Sequence, residues 1–228
     1  MKQAITLRKE LMQETKERLK TSINEETMLI QMYQTVRELE HTINNLMIKL
    51  KNWFSCYLPE IYTTKTQQEA LDIILSDSIE ESKQKLNLKD SIGTINRTGY
   101  EQTIKFAKSI QTLIKTKELI EEQIEETTTK IAPSICNEIS GKTLAQLLTK
   151  VGTIKRLANM PSSAIQLLGA EKALFRHLQN NRNNPPKYGL LAGEVQAKTP
   201  KERAKKTKQL SAKVTLAARK DYYGTNKT

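Results

Sequence analysis

The sequence predicts an all-α protein, and three observations carry that prediction. Apolar residues recur at alternating steps of three and four along two stretches, each roughly thirty residues long. Serine or threonine followed three residues later by glutamate or glutamine, the mark of a capped helix start, precedes several apolar runs, and a proline closes both long stretches. No stretch alternates apolar with polar residues as a half-buried strand would, and 8 glycines with 5% aromatic content suit neither a glycine-rich cofactor fold nor a β-sandwich.

The first helix is expected from about residue 5 to 20, charged nearly all round and therefore a linker, assigned as residues 1–21. Ser22, with Glu25 three residues on, opens the second. Its seam runs Leu29, Met32, Val36, Leu39, Ile43, Leu46, Leu50, Trp53, Tyr57 and stops at Pro59. Heptad spacing of this kind suits a coiled coil, and Leu29, Met32, Val36, Leu39, Ile43, Leu46 and Leu50 are the candidate partner-binding residues. Thr64 with Gln67, and Ser78 with Glu81, should open two short helices, QQEALDIIL and EESKQKLNL. A second seam follows through Phe106, Ile110, Leu113, Lys117, Ile120, Ile124, Thr127 and Ile131, ending at Pro133, with Lys117 and Thr127 as polar interruptions. Two long helices joined by some 45 residues pair most simply antiparallel, so residues 22–133 read as a coiled-coil domain with a helical tip.

Past Pro133 the chain breaks into short apolar bursts, LAQLL, IKRLANM and AIQLL, each bounded by Gly, Pro or Ser. Short helices packed into a compact basic domain, residues 134–228, are the economical interpretation. Met160-Pro161-Ser162-Ser163 is a break followed by a fresh helix start, and residues 180–189 form a loop. The last helix opens at Thr199-Pro200-Lys201-Glu202, runs to about Tyr223, and carries Ala204, Thr207, Ser211, Val214 and Ala218 on a small-residue face.

Charge separates the two parts. Residues 141–228 hold 18 Lys and Arg against 4 Asp and Glu, whereas residues 1–140 hold 19 against 21, so the net charge of +12 belongs to the carboxyl-terminal segment. A polyanion is the natural partner of such a surface. The pattern excludes several other classes. Cys56 and Cys136 stand 80 residues apart with no His or Cys at ligand spacing, so neither a disulfide framework nor a metal site is expected. No apolar run approaches the ~18 residues that cross a bilayer, and MKQAITLRKE lacks a signal-peptide core, so no membrane partner is expected. The sequons at Asn96 and Asn226 are then chance matches. Gly141-Lys142-Thr143 resembles the end of a phosphate loop, but Cys136 stands where that loop needs glycine. His41 and His177 have no nucleophile and orienting group near them, and Glu121-Glu122 and Glu125-Glu126 read as a solvated face, so no catalytic residues and no cofactor are expected.

One stretch inside the basic segment is different. In GAEKALFRHL, residues 169–178, Leu174, Phe175 and Leu178 are expected to fill the core, while Lys172 and Arg176 fall on other faces of a helix whose donor-rich start suits an anionic ligand. Arg176 can pair bidentately with phosphate or stack on a base. Arg182 in the following loop, and Lys205, Lys206, Lys208 and Lys213 on the last helix, add further cations to the same segment.

At these residues the chain resembles the Nop-domain family, the scaffold proteins of box C/D ribonucleoprotein particles. The matching pieces are MPSSAIQLLGAEKALFRHL, PPKYGL and LSAKVTLAARKDYYG, with IKLKNWFSCYLPEI and IAPSI looking like the ends of the family's two coiled-coil helices. The resemblance implies a coiled-coil hairpin that pairs with a second copy or a paralogue. It also implies a domain that binds a box C/D-type kink-turn RNA together with a small, ribosomal-protein-like kink-turn protein, in the nucleolus and nucleus of eukaryotes or the archaeal cytoplasm. The motif's RNA-facing candidates are then Glu171, Lys172, Arg176 and His177, with Lys187 in the following loop, and Arg182, Lys205, Lys206, Lys208 and Lys213 join them as candidate RNA-binding residues. Only 28 residues precede the first seam, where the family carries a fibrillarin-recruiting domain, so direct fibrillarin recruitment is not expected. The tract LLAGEV after Gly189 also departs from the aromatic and His-containing stretch of relatives. Two other readings stand beside this one: the family's spliceosomal member, whose sequence differs at GAEKALFR, and a coiled-coil adaptor with a nonspecific basic tail.

Overall fold

The computed structural model describes residues 2–22, 24–76, 79–86, 91–93, 98–180 and 184–224, and among these the chain is helical with no strand. The expected caps at Ser22 and Ser78, both sequons and Arg182 concern side chains or residues outside the described ones. Two compact units are present, residues 35–120 and residues 1–34 with 121–228, and the two long helices, α2 (Glu25–Phe54) and α6 (Tyr100–Ile131), contribute to both. The short helix before them is α1 (Lys2–Ser22), whose described side chains are all exposed.

Asn24 caps α2: its side-chain oxygen accepts from the Thr27 amide at 2.9 Å. Along α2 the seven-residue members Leu29, Val36, Ile43, Leu50 and Tyr57 are buried as the seam requires. Of the members between them, Leu39 stays half-buried, while the others slip by one, to Tyr33, Met47 and Phe54 in place of Met32, Leu46 and Trp53. A straight helix with 3.6 residues per turn drifts about 20° per heptad, so a strict 3.5 repeat does not hold. The same slip appears on α6, where Ala107 and Thr128 are buried and Phe106 and Thr127 are not. Buried Thr128 is satisfied by its own helix, donating to the Ile124 carbonyl at 2.8 Å.

In the 35–120 unit, Ile43, Met47, Leu50 and Phe54 of α2 share one core with Ala107 and Ile110 of α6. Each such side chain contributes about 1.5–3 kcal/mol by leaving water. Helices α3 (Ile61–Thr64) and α4 (Gln67–Ser76) close it through Ile61, Ala70, Leu71 and Ile74, followed by α5 (Ile79–Lys85). The capping box of α4 is Thr66 with Glu69, not Thr64 with Gln67: the Thr66 amide donates to Glu69 at 2.9 Å and the Glu69 amide to the Thr66 hydroxyl at 3.4 Å. The seam residues assigned to a partner are largely used by the chain itself, since Leu29, Val36, Ile43 and Leu50 are buried and only Met32, Leu39 and Leu46 remain half-buried.

In the other unit the short helices α7 (Pro133–Cys136), α8 (Gly141–Val151), α9 (Ile154–Asn159), α10 (Ser162–Leu167) and α11 (Glu171–Gln179) precede a single 3-10 turn, Leu190–Glu194, and the long α12 (Pro200–Gly224). Thr207, Ser211, Val214, Ala217 and Ala218 make the buried face of α12 small, which lets α7, α9 and α10 pack closely on it. Carboxylates from distant elements cap the short helices. Asp221 accepts from the Ser134 and Ile135 amides at 3.0 and 2.9 Å, Glu26 from Ile154 at 3.0 Å, and Glu125 from Gly141 and Lys142 at 2.8 and 3.0 Å. Glu125 is therefore no bystander on a solvated face. The donors that a phosphate loop would offer at Gly141 are already taken.

Candidate nucleic-acid interface

The interface is built around a tight turn. Helix α10 starts after Pro161, buries Ile165, and ends where Gly169 takes φ of +88°, a conformation that side chains other than glycine's rarely adopt. A β-carbon there would lie 2.4 Å from Leu190 Cγ. The Gly169 amide donates to the Glu171 carboxylate at 2.7 Å, so the first residue of α11 turns back to cap its own turn. Partial burial works to raise the pKa of Glu171, but the amides of Gly169 and Glu171 and the charge of Lys150, 3.7 Å away, outweigh it and hold the carboxyl below its ordinary value. Glu171, expected to read RNA, is thus engaged as a cap.

Helix α11 buries no residue. This corrects the expectation for Leu174, Phe175 and Leu178: Leu174 is half-buried, while Phe175 is 62% and Leu178 66% exposed. Lys172 and Arg176 are exposed as expected, and His177 is half-buried. The helix therefore presents two cations interleaved with an exposed aromatic ring and an aliphatic side chain. Cations suit phosphate, and an open ring suits stacking on a base or packing against a protein.

The segment 184–189 is anchored beside it. Gln166 donates from its side-chain amide to the Lys187 carbonyl at 2.6 Å, and its backbone carbonyl accepts from the Gly189 amide at 2.8 Å. Gly189 is required by close approach, since a β-carbon would fall 1.9 Å from the Leu168 carbonyl oxygen. This places Lys187 across a groove of about 470 Å³ from Lys205 and Lys208, with Ser163, Gln166, Leu167, Pro186 and Ala204 completing the lining.

Not every lysine of α12 joins that groove. Lys206 pairs with Glu202 at 2.7 Å, and Lys213 with Glu138 at 3.0 Å. The expected helix start is present, with the Glu202 amide donating to Thr199 at 3.1 Å and the Lys198 amide to Glu202 at 3.1 Å; Lys206 and that amide hold the Glu202 carboxyl below its ordinary value. Of the candidate residues, the structure thus brings together Lys187, Lys205 and Lys208, leaves Lys172 and Arg176 on an adjoining helix, and shows Lys206 and Lys213 already neutralised. Ser163 and Gln166 were missed by sequence reasoning. The one signal for Gln166 was a polar residue inside the apolar burst AIQLL.

Comparison with known proteins adds an independent line. The family model described as Nop, snoRNA binding domain, fibrillarin, matches residues 35–228. An uncharacterized NOP5 family protein of Methanocaldococcus jannaschii is 30% identical over 223 residues, covering 86% of this chain and 52% of that protein. Nucleolar protein 56 of Caenorhabditis elegans is 28% identical over 225 residues, covering 87% and 46%, and nucleolar protein 58 of Mus musculus 28% over 229 residues, covering 91% and 42%. The chain spans about half the length of the curated relatives it matches. A crystal structure of a fibrillarin/Nop5p complex is similar in fold, with a TM-score of 0.53 at 23% identity over 96% of this chain and 70% of that one.

Proposed function

The chain belongs to the Nop family, and from that membership we propose that it is a non-enzymatic scaffold of a box C/D small ribonucleoprotein. In this reading it binds a kink-turn RNA together with the small kink-turn-binding protein and supports guided 2′-O-methylation by positioning its partners. The observation that carries the reading is the surface of α11, where Lys172 and Arg176 stand among exposed Phe175 and Leu178. A purely electrostatic binder of polyanions has no use for an exposed ring and leucine. A surface that must meet RNA and a protein together does, because phosphate contacts set register while stacking and apolar packing select a folded target.

Pairing with a second copy or a paralogue is proposed on the flank of α2 and α6 that the chain's own core leaves half open. Leu39, Leu46, Phe106 and Leu113 lie there partly buried, and Trp53, 6.1 Å from Phe106 between ring centres, is 40% exposed. A fibrillarin-type methyltransferase is proposed as a member of the same assembly, with the nucleolus as its location in a eukaryote and the cytoplasm in an archaeon. The experiment is a gel shift with three probes: kink-turn RNA alone, the small protein alone, and the two preassembled. A shift confined to the preassembled pair supports the scaffold. Equal shifts with RNA alone would instead favour an adaptor with a nonspecific basic tail.

A further inference from the structure

We propose that the groove between α10, the 184–189 segment and α12 takes the phosphodiester backbone of the RNA, and that Gln166 positions it; the inference rests on the scaffold reading above. Three ammonium groups from two separate elements, Lys187, Lys205 and Lys208, open onto this groove. Among the described residues none of the three has a carboxylate within 4.0 Å. The contrast lies on the same helix, where Lys206 and Lys213 are each held in an ion pair. Lys206 and Lys213 are therefore compensated, while the lysines that line the groove are not.

Gathering like charges without counter-charges is unfavourable until an anion arrives. The chain nevertheless fixes this arrangement. The Gln166 side-chain amide donates to the Lys187 carbonyl at 2.6 Å, beside a backbone bond from the Gly189 amide to the Gln166 carbonyl at 2.8 Å that any residue at 166 would keep. The lysine's backbone is thus set before any ligand binds, which lowers the cost of ordering it on binding. Gly189 admits no side chain there, because its β-carbon would meet the Leu168 carbonyl.

The lining also specifies the ligand class. Among the described residues it carries no aromatic ring on which a base could stack and no carboxylate to hold a basic peptide. Ser163 adds a neutral hydroxyl to the lining. A repeating anionic backbone is what such a groove accepts, independent of base sequence. The work is then divided: α11 selects the folded target, and the groove fixes its register and supplies salt-sensitive affinity.

The test measures binding of the full chain to the preassembled kink-turn RNA and its small protein as a function of salt. Lys205→Ala and Lys208→Ala should each flatten the plot of log affinity against log salt by ~0.7–0.9. Gln166→Met removes no charge, yet it should flatten the slope as well by releasing Lys187, and Lys187→Met should add nothing further in the Gln166→Met background. A wild-type slope for Gln166→Met, or an equal effect of Lys187→Met in both backgrounds, overturns the role of Gln166. If Arg176→Ala weakens binding while all groove variants keep the wild-type slope, the groove assignment falls and the scaffold reading stands. If Arg176→Ala and the groove variants all bind as wild type, both fall.

Discussion

Replacing Gly169 by alanine should loosen the start of α11 by an amount that the structure lets one work out. Gly169 holds φ of +88°, and an L-residue forced to the left-handed side costs about 1–2 kcal/mol. The new β-carbon would stand 2.4 Å from Leu190 Cγ and 2.7 Å from Cδ2, so Leu190 must leave its rotamer, adding about 0.5–1.5 kcal/mol. Alanine restricts the unfolded chain and returns about 0.4–1 kcal/mol. The net expected loss is about 2 kcal/mol. Fluorescence of Trp53 reports on the 35–120 unit, so amide hydrogen exchange over residues 171–179, together with denaturation followed by circular dichroism, is the appropriate assay. In a Leu190→Ala background the collision disappears, and the penalty for Gly169→Ala should shrink by about 1 kcal/mol while the backbone cost remains. A loss under about 0.5 kcal/mol, or the same loss in both backgrounds, refutes the reasoning.

Three further outcomes are expected. Arg176→Ala should weaken the RNA–protein complex by about 1–3 kcal/mol, the range of a stacking contact, as measured by titration calorimetry; unchanged affinity returns Arg176 to an ordinary solvated surface. Leu39→Asp with Leu46→Asp should abolish self-association or pairing with a paralogue in sedimentation while retaining helix content; an unaltered mass of an associated species counts against the proposed flank. Glu171 is held below the ordinary glutamate value of about 4.3, so its capping contribution is fully present above that value and is lost as pH falls through its lowered folded-state value. The Gly169 amide resonance should follow that titration, and a resonance insensitive to pH below 4.3 contradicts the cap.

Much of the fold was legible because periodicity survives small errors of phase. Every seventh residue from Leu29 to Tyr57 is buried as expected, whereas Met32, Leu46 and Trp53 were misplaced by one because the helix turns in 3.6 residues and not 3.5. The last helix was legible in detail, since Thr199, Pro200 and Glu202 are local signals read by local bonds. The caps from Glu26 and Asp221 were not, because their amide partners lie 128 and 86–87 residues away in the chain. The spacing of Leu174, Phe175 and Leu178 announced an amphipathic helix but not whether anything packs on it, and Phe175 and Leu178 remain open. In the same way the excess of lysines was plain, while which of them are neutralised depends on Glu138 and Glu202 arriving beside Lys213 and Lys206.

The proposed scaffold role requires the basic unit to read a folded RNA–protein surface and not charge alone. Its most direct test is the ratio of affinities, at one fixed salt concentration near physiological, for a kink-turn RNA preassembled with its small protein and for a straight duplex of equal length. A specific scaffold predicts a ratio of about 10³ or more, while equal affinity for the two probes contradicts the account.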